Sequence, residues 1–116
     1  MSECANCRLK VLIASALQWG EARGLHNTTD LRPQLVKLIE ELGEIAAGVA
    51  RNDHTRIVDG VGDLLVVLLQ FGAVHSKQLA GITASEYITE CLSFAVAEIQ
   101  NRSGHLKDGI FIKEGE

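Results

Sequence analysis

The stretch QLVKLIEELGEIAAGV, residues 34–49, decides the fold because its polar and apolar residues recur with the period of an α-helix. At about 100° per residue, its charged positions fall within a sector of roughly 100°. They are Lys37, Glu40, Glu41 and Glu44. The opposite side is apolar and carries Leu35, Leu38, Ile39, Leu42, Ala46 and Val49. The sequence therefore predicts an amphipathic helix with an acidic stripe.

Start and stop signals for helices divide the chain on both sides of this stretch. A first helix is predicted from about Arg8 to Arg23, followed by a polar loop. Asp30 is expected to cap the second helix, which contains the acidic stripe and reaches about Arg51. The first half of the chain is thus predicted to contain two helices.

The second half of the chain begins with a strongly apolar helix. Asn52-Asp53 breaks the preceding pattern and caps a third helix, which is apolar on every face from Leu64 onward. We expect such a helix to be enclosed by other helices and by another subunit. The apolar run ends at Val74 and is interrupted by Gln70, well short of the roughly 18 residues that a membrane-spanning helix needs. We therefore expect a buried helix and no membrane span.

A fourth helix and a short tail complete the chain. Thr83-Ala-Ser-Glu86 matches a capping box and opens a helix that lasts to about Asn101. After it, Asp108-Gly109 lies between short apolar runs and indicates a tight turn or a small hairpin. We interpret this tail as a short, mobile C-terminal flap. The predicted fold class is all-α, a four-helix bundle in a single domain spanning residues 1–116.

Composition narrows the class of protein. A chain of 116 residues has room for one compact domain. Its 15 acidic and 11 basic residues give a formal charge of −4, which argues against binding to nucleic-acid polymers or anionic membranes by counterion release. Hydrophobic residues make up 47% but aromatic residues only 4%, which suits helix packing better than a sandwich of short strands. Three cysteines and an N-terminus without a signal-peptide pattern predict a reduced, cytoplasmic protein.

Carboxylates on two successive helices are the candidate chemical groups. On the third helix, Asp59 and Asp63 are one turn apart and share a face directly before the apolar half. Asp63 is therefore expected to be partly buried, and a buried carboxylate needs a cation, a donor or a metal. If this face meets the acidic stripe, four or five carboxylates converge, which suits Mg²⁺ or Mn²⁺. The alternative is a solvated acidic face on which Lys37 pairs with the glutamates one turn away.

Glycines interrupt both of these helices. Five lie inside helical patterns, although each costs up to ~1 kcal/mol relative to alanine; they are Gly43, Gly48, Gly60, Gly62 and Gly72. Gly60 and Gly62 flank the aspartates, where a missing side chain admits either a ligand or a neighbouring helix. We expect a close approach of some group at these positions.

Several segments resemble a known enzyme family. QLVKLIEELGE, residues 34–44, and DGVGDLLVVL, residues 59–68, are similar to the MazG-like all-α nucleoside triphosphate pyrophosphohydrolases. Residues 16–24 and 98–113 look like the phage-type branch of that family. The resemblance covers most of the chain and implies a MazG-like bundle that assembles as a homodimer or a homotetramer. It also implies hydrolysis of a (d)NTP to the monophosphate and pyrophosphate, or by stepwise phosphate removal.

The family is marked by an E-E-x-x-E motif on one helix and an E-x-x-D motif on the next. The first motif is complete within residues 40–44. In the second, Asp63 matches the aspartate, but Gly60 stands where the glutamate is expected. Asp59, one position earlier, would then take over the role of metal ligand. This departure resembles the phage-type branch.

The resemblance implies a role for each charged residue of the candidate site. Two or more Mg²⁺ or Mn²⁺ ions would be held by Glu41, Glu44, Asp59 and Asp63, and would activate a water for attack on the α-phosphorus. The catalytic set consists of Lys37, Glu40 and Glu41, with Glu40 as general base or water-positioning residue. Phosphate oxygens would be bound by Lys37, Arg102, Lys107 and Lys113.

Three residues near the end of the first helix are candidates for binding the base. Trp19 offers a flat face for stacking and one donor, and Gln18 and Asn27 offer amides. The alternatives are packing for the tryptophan and solvation for the amides. The resemblance to phage MazZ-like enzymes would make (d)GTP the substrate, and a phage-encoded protein would act in the cytoplasm of a bacterial host.

Other functions and motifs stay open at this point. The glycine at position 60 is compatible with a catalytically silent helical oligomerisation module, and the four-helix pattern also fits a phosphoribosyl-ATP pyrophosphatase-like enzyme. Cys4-Ala-Asn-Cys7 has the spacing of half a zinc site or a redox pair, or consists of thiols at a frayed terminus. Zinc would need His26 or a second copy of the chain. The other histidines are expected to be exposed: His54, His75 and His105.

Overall fold

The computed structural model describes residues 4–115, which form four helices followed by a hairpin. The helices are α1 (Ala5–Ala22), α2 (Arg32–Ala50), α3 (His54–Ser76) and α4 (Ala84–Gln100), and the strands are β1 (Gly104–Lys107) and β2 (Ile110–Lys113). The all-α prediction is confirmed, and the tail is a small antiparallel hairpin. Residues 1–3, on which the absence of a signal-peptide pattern partly rests, lie outside the described residues.

Side-chain caps explain where α3 and α4 begin. Asp53 Oδ1 accepts a hydrogen bond from the backbone N–H of Arg56 at 3.1 Å. The Thr83 hydroxyl accepts from the backbone N–H of Glu86 at 3.2 Å and donates to the Glu86 carboxylate at 2.8 Å. Both starts agree with the sequence prediction, because these hydroxyl and carboxylate groups satisfy amide donors that the first turn leaves free.

The starts of α1 and α2 differ from the prediction by one to three residues. α1 begins at Ala5 rather than at Arg8, because the Cys4 sulfur accepts the N–H of the first turn. α2 begins after Leu31, which makes no side-chain cap. Asp30 instead lies just outside the helix, where its Oδ1 accepts from the backbone N–H of Arg32 at 3.1 Å.

A very short connection holds α2 and α3 antiparallel. Asn52 has a φ of 51°, a left-handed conformation that asparagine tolerates, and the N–H of Asp53 donates to the carbonyl of Gly48 at 2.9 Å. The two helices then run side by side along their length. Their facing surfaces include the acidic stripe of α2 and the aspartates of α3.

The buried core lies where the second half of α3 meets α1 and the loop that follows α1. Leu17, Ala73 and Val74 are its buried apolar side chains. Gln70 is 2% exposed and its amide donates to the Ala16 carbonyl at 2.8 Å. The NH₂ group of this amide is bonded to α1, so its Oε1 points to His26 and accepts a hydrogen bond from His26 Nε2–H at 2.6 Å. This hydrogen bond fastens the α1–α2 loop to α3.

The chain by itself covers only part of α3. The end of the helix is enclosed, but Val61, Leu65 and Leu68 are 45%, 56% and 48% exposed. Helices of the same chain therefore enclose only the end of the apolar half, and the expected covering by another subunit stays a prediction. α3 is also long and apolar enough to cross a membrane by length and composition alone, as core helices of soluble proteins are. Its aspartates and its close packing on α2 favour a core helix.

The end of the chain folds into a small hairpin. Asp108 (φ 52°) and Gly109 (φ 78°) form the two-residue turn that the sequence predicts, and β1 pairs with β2 in the antiparallel register of a hairpin.

His75 Nδ1 contacts the Tyr87 hydroxyl, and the two rings meet edge to face with centroids 5.3 Å apart. His75 is half-buried, so its predicted exposure is wrong, whereas the other two histidines that were expected to be exposed are so.

Candidate functional site

Carboxylates from α2 and α3 line one cavity of about 480 Å³ between the two helices. Its lining consists of Glu40, Glu44, Asp53, Thr55, Arg56, Asp59, Gly60 and Asp63. The acidic stripe and the aspartate pair, which lie on different helices, are thus brought together. A cavity of this size is in the range that holds small-molecule ligands.

Two glycines allow the helices that carry these carboxylates to approach closely. A Cβ atom on Gly60 would lie 2.7 Å from Ile45 Cγ1, and one on Gly48 would lie 3.0 Å from Ile57 Cγ1. Both glycines are buried in the contact between α2 and α3. Gly62, in contrast, has nothing within 4 Å of the position that a Cβ would take. Gly60 is therefore a helix-contact residue, and Gly62 faces open space.

Two cations lie among the carboxylates. Lys37 Nζ is 3.2 Å from Glu40 Oε2 and 3.8 Å from Glu41 Oε1, and Arg56 Nε is 3.9 Å from Glu44 Oε2. The hydrogen bond to Glu40 raises the pKa of Lys37, and the charges of Glu40, Glu41 and Asp63 raise it further. Lys37 therefore keeps its proton at neutral pH and acts as a fixed positive charge.

The carboxylates differ in exposure. The side chain of Glu41 is only 14% exposed, whereas those of Glu40 and Glu44 are each 57% exposed. Glu41 lies beside Lys37 and is not part of the cavity lining. Asp63 is exposed, so its predicted partial burial is wrong. The reason is that the chain covers the end of α3 but leaves the turns around residue 63 open.

The donor set of the cavity fits hard divalent cations. It offers only oxygen ligands, and its five carboxylates face a single guanidinium, so the lining carries a large excess of negative charge. In the conformation described for residues 4–115, no three Cys, His, Asp or Glu side chains are close enough to share one metal ion. Glu40, Glu41 and Glu44 are paired with Lys37 or Arg56 instead, and these contacts would have to rearrange for the glutamates to bind a cation.

The other predicted site residues lie outside this cavity. Trp19 stacks under the Arg23 guanidinium, which is 4.5 Å from the ring centroid, and Arg102 pairs with Glu98 at 3.3 Å. The remaining candidates for phosphate and base contacts are on the hairpin or near the end of α1, namely Lys107, Lys113, Gln18 and Asn27. Within one chain, the structure does not place any of these residues in the cavity lining.

Arg56 is a site residue that the sequence interpretation missed. It precedes Asp59 by three residues and Asp63 by seven, so that helical periodicity places all three on one face of α3. Spacing alone could have revealed it. Asp53 and Thr55 were missed because the start of α3 was interpreted only as a cap.

The family of this chain follows from comparison with known proteins. Residues 32–103 match the MazG nucleotide pyrophosphohydrolase domain, and the match includes α2, α3, α4 and the carboxylate cavity between the first two. The chain belongs to this family. The family is one of nucleotide pyrophosphohydrolases, and its enzymes typically use divalent metals.

A phage protein is similar to about half of the chain. It is described as "Uncharacterized 18.2 kDa protein in rep-hol intergenic region" of Haemophilus phage HP1 (strain HP1c1), and is 41% identical over 61 residues. The alignment covers 53% of this chain and 37% of the phage protein. This similarity fits the phage-type branch. No solved structure matches the chain.

Proposed function

We propose that this protein hydrolyses a (d)NTP to the monophosphate and pyrophosphate with the help of Mg²⁺ or Mn²⁺. The observation that carries the proposal is the charge of the cavity, which is lined by five carboxylates and one guanidinium. A triphosphate would be repelled by such a lining unless divalent cations neutralise it. A site with this charge therefore suits a metal-bound polyanion and not a free anion.

The ligands for two or more cations are Glu44, Asp59 and Asp63 in the cavity and Glu41 beside it. When bound, such cations polarise the phosphoryl group and lower the pKa of a water molecule. Asp59 takes the place of the missing motif glutamate. Support comes from the lack of space at position 60, where a Cβ would lie 2.7 Å from Ile45 Cγ1, and from the neighbouring Asp59, whose side chain has room in the cavity lining.

The chain's own side chains orient the substrate and accept the proton. Glu40 lines the cavity as an exposed carboxylate and acts as general base or positions the attacking water. Lys37, held protonated by Glu40, is a fixed charge for phosphate oxygens. Arg56 lines the cavity beside Glu44 and would donate to the phosphate chain once Glu44 held a cation, a role that suits a planar guanidinium.

The active assembly is a homodimer or a homotetramer. The accessible surface of one chain is 8777 Å², whereas a compact monomer of 12.6 kDa exposes about 6,200 Å². The radius of gyration is 16.7 Å, against about 13 Å for a compact chain of this length. If each subunit of a homodimer buried this excess of about 2,600 Å², the interface would total about 5,200 Å², at the upper end of what obligate interfaces bury.

Residues that lie outside the cavity of one chain would reach it from a second copy. These are the base-binding candidates Trp19, Gln18 and Asn27, and the cationic candidates Arg102, Lys107 and Lys113. The proposal places the enzyme in the cytoplasm, of a bacterial host if it is phage-encoded, without nucleic-acid polymers or membranes as partners. Preference for (d)GTP is part of the proposal.

The test is release of monophosphate and pyrophosphate from eight (d)NTPs, each with Mg²⁺, with Mn²⁺ and with a chelator. Asp63→Ala and Glu44→Ala should lose at least ~10²-fold in kcat/KM, because a cation ligand acts on the transition state. Glu21→Ala, an exposed acidic residue of α1, is the matched control and should keep wild-type activity. Arg56→Gln should raise KM more than it lowers kcat.

Each of the following outcomes would contradict a part of the proposal. No turnover of any nucleotide would favour the oligomerisation module, and turnover of phosphoribosyl-ATP alone would favour the related pyrophosphatase. Full activity of Asp63→Ala would show that the cavity is not the active site. Light scattering measures the assembly, and a mass of one chain at micromolar concentration would overturn the dimer.

A further inference from the structure

A second candidate site lies at the start of α1, outside the lining of the carboxylate cavity. The sulfur atoms of Cys4 and Cys7 are 2.7 Å apart, and both residues are exposed. This separation is only about 0.7 Å longer than the ~2.05 Å of a disulfide bond. Cys4 is the residue that caps α1, and Cys7 lies in its first turn. The two thiols can therefore react with each other after a small movement of either side chain.

The helix start favours the thiolate form of Cys4. The Cys7 backbone N–H donates to Cys4 Sγ at 3.3 Å, and the positive end of the α1 dipole adds to this. The hydrogen bond between the two thiols and then the bond with the Cys7 backbone N–H lower the pKa of Cys4, and the same thiol–thiol bond raises the pKa of Cys7. Cys4 is thus the nucleophile of the pair and Cys7 the thiol that reacts second.

Within one chain, the surroundings favour a redox pair over a zinc site. Zinc in a protein takes four ligands in structural sites, and no third Cys, His, Asp or Glu in the described range 4–115 joins the two sulfurs in a metal-binding group. His26, the ligand that zinc would need from the same chain, is buried and bonded to Gln70. Among residues 4–115 of one chain, the pair is therefore a dithiol without a third protein ligand.

We propose that Cys4 and Cys7 form a redox-active dithiol that low-molecular-weight disulfides, such as oxidised glutathione, convert to an intramolecular disulfide. The Cys4 thiolate attacks one sulfur of the small disulfide, whose S–S bond breaks and releases one thiolate. The Cys7 thiol then loses its proton to solvent, and its sulfur attacks Cys4 Sγ and releases the second thiolate. Two protein thiols are oxidised and one disulfide is reduced to two thiols.

The test uses the full chain equilibrated in glutathione buffers of graded potential, then acid-quenched and measured by intact mass. Wild type and Cys91→Ser should both lose the mass of two hydrogens with the same midpoint. Cys4→Ser and Cys7→Ser should not lose this mass, and should instead gain glutathione. Cys91 is the matched control because it is an exposed thiol on α4. Peptide mapping after brief alkylation of the reduced wild type should show Cys4 modified before Cys7.

Three results would overturn the proposal. One is a Cys91→Ser chain that only gains glutathione and never loses two hydrogens. Another is the loss of two hydrogens in Cys4→Ser or Cys7→Ser, which would assign the disulfide to Cys91. The third is a covalent dimer on a non-reducing gel in place of the internal bond. None of these readouts depends on nucleotide hydrolysis, so the dithiol and the proposed enzyme succeed or fail separately.

Discussion

Replacement of Gly60 by alanine should destabilise the protein, whereas the same change at Gly62 should stabilise it. A Cβ on Gly60 would lie 2.7 Å from Ile45 Cγ1 and 3.4 Å from the Ile45 backbone nitrogen, so the isoleucine has to move. Overpacking of this kind costs roughly 1–3 kcal/mol, and the better helix propensity of alanine returns about 1 kcal/mol. Gly62 has no atom within 4 Å of that position and should gain only the propensity term. The two variants should differ by about 1–3 kcal/mol.

Urea unfolding followed by circular dichroism measures this difference. All variants are compared at one protein concentration, because the stability of an oligomer depends on it. Gly43→Ala is a second control, since nothing lies within 4 Å of its added Cβ. Equal changes in the free energy of unfolding for Gly60→Ala and Gly62→Ala would refute the packing argument. In an Ile45→Ala background the cost at Gly60 should largely vanish, and a double-mutant cycle measures that coupling.

Three smaller predictions concern local interactions. The Arg32 side chain and backbone N–H lower the pKa of Asp30 to about 2, so its ionised form contributes stability above pH 3.8 that is lost as the pH falls toward 2. Carbon-detected NMR should show this low midpoint, and Arg32→Gln should raise it. Gln70→Leu leaves the buried His26 without its hydrogen-bond partner and removes the bond to the Ala16 carbonyl, so it should cost roughly 1–3 kcal/mol, which thermal unfolding measures. Thr83→Ala should cost ~1 kcal/mol in the same assay, because α4 loses its cap.

Helix caps and turns could be predicted from the sequence because each depends on a few adjacent residues. Asp53 and Thr83 cap α3 and α4 as their residue types indicate, and Asp108-Gly109 forms the expected turn. The shared face of the carboxylates on each helix was also predictable from helical spacing, whereas the meeting of the two faces depends on how the helices pack and was only a condition of the prediction. α1 began earlier than expected because a cysteine cap gives a weaker sequence signal than serine, threonine, aspartate or asparagine.

Features that depend on distant parts of the chain were harder to predict. The prediction that Asp63 is partly buried was wrong. Apolar neighbours in the sequence indicate that a helix packs against other protein, but they do not indicate whether that protein is its own chain. His75 is half-buried because α4 returns to place Tyr87 against it, and no local pattern indicates that pairing. Gly60 was open to two interpretations until the position of Ile45 across the helix pair was known.

The short α2–α3 connection also has a kinetic consequence. Gly48 meets Ile57 and Gly60 meets Ile45, contacts between residues only nine and fifteen positions apart in the chain. Contacts at such short separation lose little loop entropy on closing, so this hairpin of helices should form early, before α1 and α4 dock. Substitutions at position 45 should then slow refolding more than they speed unfolding, with φ-values well above those in α1. The half of the chain that carries the carboxylates would be the folding nucleus.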